Sequence, residues 1–211
     1  MEESTKIVEN NNKPNKMSLS KQLAFLAIFV ALVVVIQVLS TVLGKIFMVV
    51  APTLVFVPIL IAIVTLGFWQ GVLLGGVFST VVLIFTVTGY DSFSLLIFQD
   101  QPVLTVIMIY AKGCLAPVIA GLVYNALKNK MEKGSIWIAS LLLPVVNTGV
   151  FCLGMLVFYK GFLVETFKSD NVFYIVFITL AGVNFLVEFF ANVILTPVVT
   201  DVKKIFDRGA Y

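Results

Sequence analysis

Residues 22–43 read QLAFLAIFVALVVVIQVLSTVL, twenty-two positions without one charged side chain. A bilayer core of ~30 Å takes about 20 apolar residues in helical form, so this stretch is long enough to cross a membrane. The surrounding composition agrees. Of 211 residues, 60% are hydrophobic and 12% charged, whereas soluble domains run at about 45–50% apolar and about 25% charged. These values exclude a water-soluble globular enzyme, a disordered chain and a nucleic-acid binder, and they point to a polytopic membrane protein.

Working outward, five more segments qualify: 46–66 with Pro52 and Pro58, 71–88, 103–127 interrupted by Lys112, Gly113 and Pro117, 136–159 with Pro144, and 172–199 closing with Pro197. Prolines are tolerated in membrane helices where neighbours satisfy the freed carbonyls. Pro52 leaves the start of the second segment open between a helix and a re-entrant loop followed by a shorter helix. The fold class expected is an all-α membrane protein of six transmembrane helices. Its regions are a disordered cytoplasmic tail over 1–20, a membrane domain over 21–204 and a cytoplasmic C-terminal tail over 205–211. The first twenty residues are polar and hold four asparagines. The apolar run after them is too long for a signal peptide and lacks a small-residue cleavage site.

Charge sets the direction. With six spans both termini share a side. That side collects Lys6, Lys13, Lys16, Lys21, Lys128, Lys130, Lys133, Lys203, Lys204 and Arg208, ten cations against Lys45, Lys160 and Lys168 opposite. The positive-inside rule makes the first side, and both termini, cytoplasmic. Trp69 and Trp137 fall at the same interface, where tryptophan is favoured.

The expected outer loops are not plain linkers. Residues 88–101 read TGYDSFSLLIFQDQ and 159–171 read YKGFLVETFKSDN, mixing aromatics with charge. Such loops suit either a lid packed over something or an amphipathic surface segment. Histidine is absent, and Cys114 and Cys152 sit in apolar runs without a CxxC partner. No catalytic residue, metal ligand or cofactor site is expected, and GxxxxGK[ST] is missing, so ATP hydrolysis by that route is excluded.

Polar groups inside the membrane default to functional hypotheses. Lys112 and Glu188 are the ionisable ones, with Gln37, Asn147, Asn184 and Asn192 around them. Asn184, Glu188 and Asn192 repeat every four residues and share a helical face. Counted from the outer ends at 1.5 Å per residue, Lys112 lies ~14 Å deep, Asn184 ~18 Å and Glu188 ~24 Å. Two arrangements satisfy them: a Lys112–Glu188 ion pair braced by amides, or a binding cavity. Small residues form a further pattern: Ala24, Ala27 and Ala31 on the first helix, and Gly67, Gly71 and Gly75 at the start of the third. Either stripe serves helix–helix contact, inside the bundle or with a partner.

Taken together, the alanine stripe, LGFWQGVLLGG over 66–76 and AKGCLAPVIAGLVYNAL over 111–127 resemble the substrate-binding (S) component of an energy-coupling-factor (ECF) vitamin transporter. The resemblance implies a multi-pass protein of a prokaryotic cytoplasmic membrane that captures a vitamin or precursor from outside. It implies docking on a transmembrane coupling protein driven by two cytosolic ATPases, through an AxxxA motif at Ala27 and Ala31, with Ala24 near the same face. It puts the ligand between the outer loops and the later helices. Polarity and depth then select Gln37, Tyr90, Asp91, Phe93, Lys112, Asn147, Asn184 and Glu188. A self-sufficient secondary transporter, or a small integral-membrane enzyme, is the alternative. The depth difference of ~10 Å between Lys112 and Glu188 favours Lys112 meeting a ligand carboxylate, as in pantothenate.

Overall fold

The computed structural model of the chain describes residues 17–47 and 54–209. Every regular element among them is helical: α1 (Leu19–Phe47), α2 (Phe56–Thr65), α3 (Phe68–Val87), α4 (Ser92–Asp100), α5 (Pro102–Leu127), α6 (Glu132–Phe158), α7 (Lys160–Phe167) and α8 (Val172–Tyr174). The chain then passes through a π-helical stretch, Ile175–Leu180, into α9 (Gly182–Asp207).

Five helices, α1, α3, α5, α6 and α9, are long and apolar enough to cross a membrane. The six expected are therefore five spans plus α2. At ten residues, α2 covers about 15 Å, half of a bilayer core. Its apolar run ends at Gly67, whose φ of 126° breaks the helix and turns the chain directly into α3. The last span also differs from the reading. Residues 172–180 hold the short α8 and the π stretch, the spanning part is Gly182–Asp207, and Pro197 lies inside it. Leu19 and Ser20, assigned to a tail, form the first turn of α1, and helix continues through Asp207 at the other end. The expectations for residues 1–16 with Lys6, Lys13 and Lys16, for Pro52, for the Lys45 side chain and for residues 210–211 lie outside the described residues.

The short helix is the centre of the bundle. Phe56, Ile59, Leu60 and Ala62 of α2 are fully buried, and α1, α3, α5, α6 and α9 all pack around it. A helix apolar on every side must be buried on every side, in protein or in lipid. The long helices instead carry large apolar side chains outward, among them Leu23, Ile107, Leu153 and Ile194. A soluble protein rarely shows such a continuous apolar exterior; lipid is its natural cover.

Glycines bring α3 close to its neighbours. A Cβ at Gly71 would collide with Ile63 of α2, and one at Gly75 with the Gly113 carbonyl and Pro117 of α5. Pro117 has no N–H for that carbonyl, so its freed oxygen faces the bare Gly75. The Ser79 hydroxyl lies 3.1 Å from the Ile109 carbonyl across the same seam. The glycine stripe of α3 is thus internal packing. Ala24, Ala27 and Ala31 of α1, by contrast, stay exposed.

The two aromatic connections fold as short helices, α4 and α7, and build a lid over one end. Asp91 caps α4 by accepting from the Ser94 N–H at 3.1 Å. Phe93 meets Phe167 of α7 with ring centroids 6.5 Å apart, and Ile97, Tyr159 and Leu163 are buried in one cluster. Tyr159 anchors the assembly: its hydroxyl lies 2.7 Å from Thr105 Oγ1 on α5. Gln101 Nε2 donates to the Phe158 carbonyl at 3.1 Å. The opposite end is marked by Lys203 of α9 near Glu132 of α6, and by Phe25 of α1 against Phe206.

Candidate functional site

Between the lid and the middle of the bundle lies a cavity of about 410 Å³, within the ~300–1,000 Å³ range of small-molecule sites. α1 contributes Gln37 and α3 contributes Phe78 and Val82. The start of α4 brings Asp91, Phe93 and Ser94, and α5 brings Lys112. Asn147, Thr148 and Phe151 come from α6. Thr179, Leu180 and Ala181 come from the π stretch and its end, and Asn184 and Glu188 from α9.

Seven of the eight residues singled out from the sequence therefore share one lining: Gln37, Asp91, Phe93, Lys112, Asn147, Asn184 and Glu188. Tyr90 does not. It is 49% exposed, and its ring packs edge-on against Phe85 at 5.5 Å. Loop composition marked the neighbourhood but carried no information on which way the Tyr90 ring turns. Asn192, on the same face as Glu188, is buried away from the cavity. It donates to the Glu188 carbonyl at 2.8 Å and sits in an α6–α9 seam with Ser140 and Thr196, whose hydroxyls are 2.7 Å apart.

Lys112 is the sole basic side chain in the lining among the described residues. Its Nζ stands 5.4 Å from the Phe151 ring centroid, a cation–π distance. Asp91 and Glu188 are the carboxylates that act on it electrostatically. Asp91 is largely committed to the lid: one oxygen takes the Ser94 N–H, and the other takes the Ser94 hydroxyl at 2.5 Å. The cap that starts α4 thus also holds a carboxylate at the cavity wall. The remaining polar groups are the Gln37, Asn147 and Asn184 amides and the Thr148 and Thr179 hydroxyls. Gln37 and Asn147 are buried, and neither Gln37 Oε1 nor Asn147 Oδ1 has a hydrogen-bond partner. Asn184 is exposed beside the cavity.

Several lining residues went unread in the sequence. Phe151 follows Asn147 by one helical turn and Val82 follows Phe78 likewise, so helical spacing could have added Phe151 to its amide neighbour. Thr179, Leu180 and Ala181 reach the cavity through the π stretch, a geometry common at functional sites that single-sequence periodicity does not reveal. Among the described residues, no group of three or more Cys, Asp or Glu is placed to hold a metal ion.

The family model described as "ECF transporter, substrate-specific component" matches residues 21–200. No curated protein and no solved structure matches the chain.

Proposed function

The chain belongs to the ECF transporter substrate-specific component family, and from that membership we propose that it captures a small carboxylate-bearing vitamin or precursor in the cavity beneath α4. Substrate-specific components work with a coupling module of transmembrane and ATPase subunits. On this reading the lid end faces outside and the Lys203 end faces the cytoplasm, as the positive-inside rule indicates.

The observation that carries the reading is Lys112: a basic side chain inside a helix long and apolar enough to cross a membrane, and lining the cavity. An ammonium withdrawn from water needs an anion or several acceptors. Asp91 accepts two hydrogen bonds in the α4 cap, and a ligand carboxylate of the pantothenate kind is the partner this reading adds at Lys112, beside Asp91 and Glu188. The Phe78, Phe93 and Phe151 rings supply the apolar walls, and the amides supply orientation.

Docking falls to α1. It is the least buried of the long helices, and its exposed Ala24 lines a shallow groove with Lys21, Phe25 and Ile28. Small side chains there let a partner helix approach closely. The test is reconstitution in liposomes, alone and with the coupling module. Uptake against a gradient is expected only with the module and ATP, and Lys112→Met should abolish it. Concentrative uptake by the lone chain would favour a secondary transporter.

A further inference from the structure

On the Lys203 side of the cavity, α6 and α9 meet along a polar line. Glu188, Asn192 and Thr196 follow at one-turn intervals on α9, and Lys203 ends the same sector two turns further on. On α6, Asn147 and Ser140 stand two turns apart on one face, and Glu132 begins the helix. Glu188 and Asn147 line the cavity. The next step toward Lys203 is Ser140, Asn192 and Thr196, all buried. The Thr196 and Ser140 hydroxyls are 2.7 Å apart, and their oxygens lie 2.7 and 3.4 Å from the Asn192 carbonyl. Then come Ile136 and Val199, buried in one apolar cluster, and last the Lys203–Glu132 pair at 3.9 Å. A polar step is thus shut off from the Lys203 end by an apolar closure.

Hydrogen bonding between helices accounts for the two hydroxyls but not for the amide. Asn192 Nδ2 donates to the Glu188 carbonyl at 2.8 Å, and Oδ1 is left buried without a hydrogen-bond partner. An acceptor kept from water and from donors costs free energy that an apolar side chain of like volume would not. Both helices also carry a proline here. Pro144 deprives the Ser140 carbonyl, and Pro197 the Val193 carbonyl, of a helical N–H, and helices bend at such places. Resting on the reading that the ligand is delivered to the Lys203 end, we propose that the α6–α9 seam is its exit. α9 parts from α6, water enters at Ser140, Asn192 and Thr196, and separation of Ile136 from Val199 opens the cavity to that end. Hydration of Asn192 Oδ1 favours parting, and exposure of Ile136 and Val199 opposes it, as in other apolar gates. The coupling module tips the balance by binding the parted form more tightly.

The full chain carrying Thr196→Cys, with Cys114→Ala and Cys152→Ala, is placed in nanodiscs alone and with the coupling module, and treated with a water-soluble methanethiosulfonate. Labelling should be at least about tenfold faster with module and ATP than for the chain alone, as a minor state becomes the major one. Adding Ser140→Cys and closing a disulfide across the 2.7 Å contact should stop ATP-driven uptake of radiolabelled pantothenate into liposomes. Pantothenate binding should stay as it was, and reductant should restore uptake. Hydrogen–deuterium exchange over residues 188–200 of the unaltered chain makes the same comparison where a variant fails to fold. Equal labelling and equal exchange in the two conditions, or uptake undiminished by the cross-link, would overturn the exit. Absence of pantothenate uptake by the reduced complex would instead overturn the carboxylate reading, while labelling and exchange still decide the seam.

Discussion

Tyr159→Phe tests whether the lid retains the ligand. Tyr159 closes α6, is fully buried, and seats the lid on α5 through its hydroxyl, 2.7 Å from Thr105 Oγ1 and 3.3 Å from the Gln101 carbonyl. Phenylalanine keeps the ring, and with it the contact to Phe162 at 6.5 Å, and removes only the hydroxyl. Thr105 Oγ1 still has the Ile97 and Gln101 carbonyls at 2.9 Å, so its proton keeps an acceptor. The loss is one neutral hydrogen bond, about 0.5–1.5 kcal/mol. Where lid seating limits retention of the ligand, this appears as about two- to twelvefold faster dissociation. Burial pushes the Tyr159 phenol above its ordinary range, with Asp100 acting in the same direction and the Thr105 hydrogen bond opposing. The neutral, hydrogen-bonding form is favoured, so this contact adds no pH dependence below about pH 10. Stopped-flow release of bound ligand from nanodiscs measures the effect, with thermal melting as the control for folding. A variant that melts lower but releases ligand at the unaltered rate would refute the link between the Tyr159 seat and ligand retention.

Four further substitutions follow from close approaches and exposed faces. Gly75→Ala would drive a methyl into the Gly113 carbonyl and Pro117, costing about 1–3 kcal/mol of overpacking and lowering the melting temperature in detergent. Gly76→Ala, whose added methyl would meet nothing within 4 Å, should leave the melt unchanged or raise it slightly, and an equal lowering by the two would remove the close α3–α5 approach as the cause. Ala27→Trp and Ala31→Trp should weaken co-purification with the coupling protein while ligand affinity stays near its unaltered value; parallel loss of both would mean that the stripe packs within the bundle.

How much could be read in advance follows from what hydropathy and polarity encode. The long spans announce themselves because lipid demands an uninterrupted apolar run. α2 was read as a sixth span because a helix buried in protein on every side has the composition of one buried in lipid. Only Gly67 and the short run distinguish it, and the unsettled start at Pro52 hid its length. Within the membrane a polar side chain is conspicuous, so Gln37, Lys112, Asn147, Asn184 and Glu188 could be named, and depth put several of them at a similar level. Their apolar companions Phe78, Val82, Phe151 and Leu180 look like any other membrane residue. The small-residue stripes were ambiguous for a related reason. Glycine and alanine permit approach without specifying by what, and it took the fold to turn Gly71 and Gly75 inward and leave Ala27 and Ala31 outside.

The same geometry puts the two roles proposed for α1 on different faces of the helix. Gln37 lies six residues beyond Ala31, about 9 Å along α1 and some 120° from it around the axis at 3.6 residues per turn. The alanines are exposed while Gln37 is buried and lines the cavity. The resemblance put the ligand between the outer loops and the later helices; the cavity lining also takes Gln37 from α1 and Phe78 and Val82 from α3. The separation of the two roles runs around the circumference of α1, where a bulky group on the outer face need not disturb an amide on the inner one. Among the described residues α1 carries both the exposed alanine face and a cavity residue, Gln37, so the proposed docking face and the cavity wall share one helix.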